Sequence, residues 1–124
     1  MLFDSSVLIA HLRGKPLARE VLREAATTGT AYASVISRAE IEGGMRSGER
    51  RDVARLFAAL TLLPVTDAVA RRAGQHLRRH RASHPGIDLA DYLIGATAEE
   101  HGLELATLNV RHFPALRGLR PVWS

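Results

Sequence analysis

Three isolated acids carry most of the chemistry open to this sequence: Asp4, Glu40 and Asp91. Carboxylate oxygens are hard donors. Three of them meeting at one point make a site for a hard divalent cation such as Mg²⁺ or Mn²⁺. Their positions suggest that they do meet. Asp4 ends the apolar run Met1-Leu2-Phe3, Glu40 stands three residues beyond Ser37, and Asp91 stands three beyond Asp88. In an open parallel sheet, strand ends and the helix starts that follow them gather along one edge, where ligands bind. Carboxylates crowded there repel one another unless a cation joins them.

Each acid also has a purely structural role open to it. Ser37-x-x-Glu40 matches a capping box, in which Glu40 bonds back to the amide of Ser37. Asp88 suits the cap of the following helix, with Asp91 a first-turn acid favoured by the helix dipole. Asp4 has less claim to a cap, because Ser5 and Ser6 beside it are good caps themselves. Glu42, two residues beyond Glu40, points to the other side of its helix. Glu99, Glu100 and Glu104, at a helix end and beyond it, read as solvated acids. His76 and His80 form an i, i+4 pair, but with Arg78 and Arg79 alongside and no nearby acid they read as a solvent-facing basic helix. Gly43-Gly44 reads as the close approach of a neighbouring helix. No glycine-rich phosphate loop or Ser-His-Asp spacing is present.

The elements that must position the acids follow from the apolar pattern. Short strand-like runs fall at residues 1–4, 31–33, 62–65 and 103–107, with a closing edge strand at 120–123, where Pro121 is tolerated. Helical spacing lies between them: a short helix from Val7 to His11, then Leu17 to Ala26, Ser37 to Met45, Glu49 to Leu60, Thr66 or Asp67 to His80, and Asp88 to His101, ended by Gly102. Alternation of short strands and helices predicts an α/β sandwich around a mainly parallel sheet. The strands leading to Asp4, to Ser37 and to Thr107 are expected to be neighbours. The 124 residues make a single domain.

Composition narrows the partners. With no cysteine there is no disulfide, zinc-thiolate site or thiol nucleophile, which is compatible with the cytoplasm. No leader-like start and no apolar run of membrane length is evident. The formal charge is +4, and Lys15 is the only lysine, so the positive charge is almost all arginine. Arginine pairs bidentately with phosphate and suits a nucleic-acid partner; codon bias with ordinary solvated faces would give the same count.

Four segments carry a resemblance. They are Leu2-Phe3-Asp4-Ser5-Ser6, Ser37-Arg38-Ala39-Glu40 with Gly43-Gly44, residues 91–98 (Asp-Tyr-Leu-Ile-Gly-Ala-Thr-Ala) and residues 106–113 (Ala-Thr-Leu-Asn-Val-Arg-His-Phe). Together they span nearly the whole chain, and it resembles a PIN domain, specifically the VapC-type ribonuclease toxins of bacterial toxin–antitoxin pairs. The resemblance implies a PIN-like α/β/α sandwich and a metal-dependent endoribonuclease using Mg²⁺, with Mn²⁺ as the alternative. Asp4, Glu40 and Asp91 would be its acidic residues: Asp4 and Asp91 as first-choice ligands, and Glu40 either binding the ion or orienting its water. Ser5, Thr107, Asn109 and Arg111 would stand behind them or contact phosphate, and Asp88 would lend a further carboxylate if it is not a cap. Asn109 occupies the place where many PIN domains carry a fourth acid, and an amide supplies no such charge. A non-catalytic RNA-binding module is therefore the alternative. The resemblance further implies an RNA substrate, a VapB-like antitoxin whose C-terminal segment covers the acids, a homodimer to which the early helices and the stretch from Val53 to Leu60 contribute, and no DNA binding by this chain itself.

Overall fold

The computed structural model describes residues 1–123. Four short parallel strands form one sheet: β1 (Leu2–Phe3), β2 (Tyr32–Ser34), β3 (Thr61–Leu63) and β4 (Leu105–Ala106), in the order β3-β2-β1-β4. The two central strands pair in register, Leu2 with Tyr32, and β1 continues against β4 with Leu2 opposite Leu105 and Phe3 opposite Ala106. The strands leading to Asp4, to α3 (Val35–Gly44) and to Thr107 are therefore adjacent, as expected.

Alternation along the strands divides the core in two. Phe3, Ala33 and Ala106 face one side, where they join Val7 and Leu8 of α1 (Ser5–Leu12), Ala18 and Leu22 of α2 (Pro16–Thr27), Ile41 of α3, and Val53, Leu56 and Phe57 of α4 (Arg50–Ala58). Leu2 and Leu105 face the other side, against Ile94 and Ala98 of α6 (Leu89–Glu100) and Phe113. Outside that layer α5 (Asp67–His80) packs on α6 through Val69, Ala73, Tyr92 and Ala96. Two apolar faces covered by helices make the α/β/α sandwich.

Local signals explain most boundaries. Thr66 accepts the Val69 amide at 3.2 Å and starts α5. Gly102, at φ 61°, turns the chain out of α6 into β4, a conformation that a β-carbon disfavours.

Several expectations need correcting. Helix α3 begins earlier than Ser37, because Ser34 at the strand end accepts the Ile36 amide and serves as its cap; no capping box forms at Ser37-x-x-Glu40. Ser5 and Ser6 lie inside α1, whose N-cap position is Asp4. A β-carbon at Gly43 or Gly44 would meet nothing within 4 Å, so no helix approaches them closely. Residues 120–122 make no strand, and residue 123 adds none. Pro121 offers no amide, and a single bond, from the Val122 amide to the Thr107 carbonyl at 3.0 Å, ties this tail to the sheet. Val53, Leu56, Phe57 and Leu60, expected to contribute to a dimer, are buried in the chain's own core.

Candidate active site

Asp4 leaves β1 with its amide bonded to the Ala106 carbonyl at 2.9 Å, while its own carbonyl accepts the Val7 and Leu8 amides that open α1. The backbone thus does the capping. The side chain makes no cap bond and turns toward the sheet edge. There Oδ2 accepts from Ser6 Oγ at 2.9 Å and from Thr107 Oγ1 at 2.8 Å, and the residue is only 4% exposed. These two hydroxyls are held in turn: the Leu108 amide donates to Ser6 Oγ at 3.0 Å and the Asn109 amide to Thr107 Oγ1 at 2.9 Å.

Glu40 projects from α3, one turn beyond its start. Ser5, the first residue of α1, donates to Glu40 Oε1 at 2.7 Å and lies 2.9 Å from the buried Ser37 Oγ. The hydroxyls that looked like helix caps therefore orient carboxylates instead. Asp91 stands in the first turn of α6, and its Oδ2 is 3.1 Å from His112 Nδ1. Burial pushes its carboxyl up to about 6, with Asp4 adding to the shift, His112 opposing it, and Glu40 raising it further. Asp91 thus feels the charge of both other acids; the three stand after β1, on α3 and on α6.

Each of the three carboxylates has one oxygen held by a neighbouring hydroxyl or imidazole; its second oxygen takes no hydrogen bond among the described residues. Among the described residues no three His, Asp or Glu side chains stand at mutual ligating separation. That arrangement suits a hydrated Mg²⁺, which keeps several waters and needs only one or two direct carboxylates. The unneutralised negative charge is what a divalent ion would relieve, so the donor set fits the metal.

The remaining expected residues divide. Thr107 is fully buried and holds Asp4; Ser5 holds Glu40. Asn109 contributes its backbone amide, and its exposed side chain bonds to nothing among the described residues. Arg111 is exposed, in the 3₁₀ turn Val110–His112, with no ion pair among the described residues. Asp88 occupies the N-cap position of α6, yet its exposed carboxylate makes neither a cap bond nor a bond to the acids. Ser6 and Ser37, expected only as helix caps, and His112, given no role by the sequence, are the further contributors. His112 lay inside a quoted motif, but only the 3₁₀ turn shows that it faces Asp91.

Outside the site two expectations change. His76 Nε2 lies 2.7 Å from Glu99 Oε1, so an acid does stand beside the histidine pair, supplied by α6. Glu99 and Glu100 are not simply solvated, since both pair with Arg72. A cleft of about 400 Å³ lies between α1, α2 and α4, lined by His11, Arg19, Arg23, Asp52 and Arg55 among others. None of the three acids lines it.

Comparison with known proteins agrees with this architecture. The PIN domain family matches residues 1–119. Ribonuclease VapC10 of Mycobacterium tuberculosis is 54% identical over 124 residues, covering 100% of this chain and 93% of that protein. A toxin-antitoxin complex from Klebsiella pneumoniae superposes with a TM-score of 0.77 at 23% identity, over 99% of this chain and 98% of that one. The DNA-bound VapBC of Salmonella typhimurium gives 0.78 at 22% identity, over 97% and 94%. The chain belongs to the PIN-domain family, among its VapC-type members.

Proposed function

We propose that this chain is a metal-dependent endoribonuclease, the toxin of a toxin–antitoxin pair, acting as a single cytoplasmic domain on RNA phosphodiester bonds. The observation that carries the reading is the set of three carboxylates, from β1, α3 and α6, each held by one oxygen and free at the other. Likeness to a VapC ribonuclease over the full chain supports the RNA-cleaving part.

Asp4 and Asp91 are assigned as the ligands of Mg²⁺, or Mn²⁺ in its place, and Glu40 as a further ligand or the group that orients a bound water. Such an ion, when bound, polarises the phosphate and lowers the pKa of its water. The chain's own residues do the rest. Ser6 and Thr107 hold Asp4 in one rotamer, Ser5 holds Glu40, and exposed Arg111 is placed to take a phosphate of the RNA. Asn109 lends an amide side chain at the same edge.

The antitoxin is assigned a basic residue that reaches the carboxylates, because their mutual repulsion is what a cation from any source relieves. Dimerisation is assigned to the exposed apolar side chains Ile9, Leu17, Val35 and Leu89 rather than to the buried stretch of α4.

The test is digestion of total cellular RNA by the purified chain, with and without Mg²⁺ or Mn²⁺, alongside Asp91→Asn. Cleavage that needs the ion and disappears in the folded variant is expected. RNA retention without cleavage under any metal would instead establish the binding-module reading, which the uncharged Asn109 favours.

A further inference from the structure

One short segment touches two of the three acids. Thr107 donates to Asp4 Oδ2 at its start, and His112 meets Asp91 Oδ2 at its end. Between them the backbone is tightly wound: the His112 amide bonds the Asn109 carbonyl at 3.0 Å, and the Phe113 amide bonds that of Val110 at 3.2 Å. Phe113 is only 4% exposed and is seated against Gly95 of α6, where a β-carbon would stand 3.3 Å from its Cδ1. Gly95 lies four residues beyond Asp91, so both face the same side of α6. The missing side chain at Gly95 lets Phe113 approach the helix, directly beside the residue that meets Asp91.

We propose that His112 is a positioning residue for Asp91, seated by the Phe113–Gly95 contact, and that residues 107–112 act as a clamp that sets the two aspartates relative to each other for the metal. The inference rests on the assignment of those aspartates as metal ligands. An ionised carboxylate only accepts, so Nδ1 carries the proton toward it. With Oδ2 so engaged, Oδ1 is the oxygen that would remain for a metal ion. An ordinary surface ion pair contributes little; here the His112 side chain is 46% exposed, but that of Asp91 is only 19% exposed and has no other partner among the described residues to fix its rotamer.

Calorimetric titration with Mn²⁺ tests this in the full chain, on wild type, Asp91→Asn, His112→Ala, His112→Gln and Gly95→Ala, with a melting curve for each. Loss of the outer partner should weaken Mn²⁺ binding about 10- to 100-fold in His112→Ala. His112→Gln, which keeps an N–H donor, should recover most of that loss. Gly95→Ala should weaken binding with His112 intact, because Phe113 must shift by a few tenths of an ångström. Wild-type affinity in both His112→Ala and Gly95→Ala, with binding lost in Asp91→Asn, would overturn the clamp and spare the metal assignment. Equal binding by wild type and Asp91→Asn, or none by either, would remove the assignment and the clamp with it.

Discussion

Helix α6 carries acids at both ends and treats them oppositely. At its C-terminal end Glu99 and Glu100 face the negative pole of the helix dipole, an unfavourable place for an anion. They are answered by partners from α5: the cation Arg72, whose Nε lies 2.7 Å from Glu100 Oε1 and whose Nη1 lies 3.4 Å from Glu99 Oε2, and the imidazole of His76 on Glu99's other oxygen. At the N-terminal end Asp91 sits where the dipole favours it, yet its carboxyl is raised to about 6 by burial and by Asp4, with Glu40 adding to the effect. No arginine or lysine reaches it; half-exposed His112 is its one partner among the described residues. A fold able to neutralise acids with arginine does so at one end of the helix and withholds it at the other. Uncompensated charge, rather than the presence of acids, distinguishes the end of α6 that carries the proposed site.

The contrast is broken most sharply by removing Asp91's charge. Asp91→Asn, or Asp4→Asn, should lower RNA cleavage at least ~100-fold, the scale on which one preorganised electrostatic group acts. The protein should remain folded by circular dichroism. Cleavage within a few-fold of wild type in a folded Asp91→Asn would place the chemistry elsewhere.

A second effect, smaller and opposite in sign, concerns stability. Because its folded carboxyl is raised to about 6, Asp91 holds its proton more tightly folded than unfolded. Its contribution is therefore most favourable at low pH, below the unfolded value near 4, and is lost as pH climbs toward 6. Without metal, Asp91→Asn should melt a few degrees above wild type at pH 7, and the gap should close as pH falls to about 4. A saturating divalent ion binds the ionised wild-type site and should reverse the order at pH 7 by mass action. Melting curves at pH 4 and 7, with and without Mn²⁺, check each sign. A variant that melts below wild type at pH 7 without metal would mean that Asp91 supports the fold.

How much of this was legible in the sequence depended on whether the signal was local. The parallel sheet and its neighbouring strands followed from alternation of apolar runs, and the expectation that Asp4, Glu40 and Asp91 share one edge rested on the position of each acid after a strand or at a helix start. The roles of Ser5, Ser6 and Ser37 were not legible, because a serine at a helix start suits a cap and a carboxylate partner equally well, and only the tertiary pairing of α1 with α3 decides. Helix α3 shows the same ambiguity: Ser34 took the cap and freed both Ser37 and Glu40. The pairing of His76 with Glu99 joins residues 23 positions apart on two helices, and no spacing rule reaches that far. The contact of Phe113 with Gly95 joins a loop to a helix 18 residues away, and the segment that contains Gly95 carries no local sign of it.

The smallest effect belongs to the opposite end of α6. Arg72→Ala removes the cation shared by Glu99 and Glu100 and leaves both acids at the unfavourable helix pole. The Arg72 side chain is 39% exposed, so solvent screens the pair, and the cost should be no more than about 1 kcal/mol. For a domain of this size that lowers the melting temperature by a few degrees. Mn²⁺ affinity should stay at the wild-type value, because the network does not touch Asp91. Thermal melts and calorimetry on this one variant measure both quantities. Stability lost with affinity kept would show that the two ends of α6 act independently. A matching fall in affinity would mean that the Arg72 network helps to hold Asp91 in place, and the division between a structural and a functional end would fail.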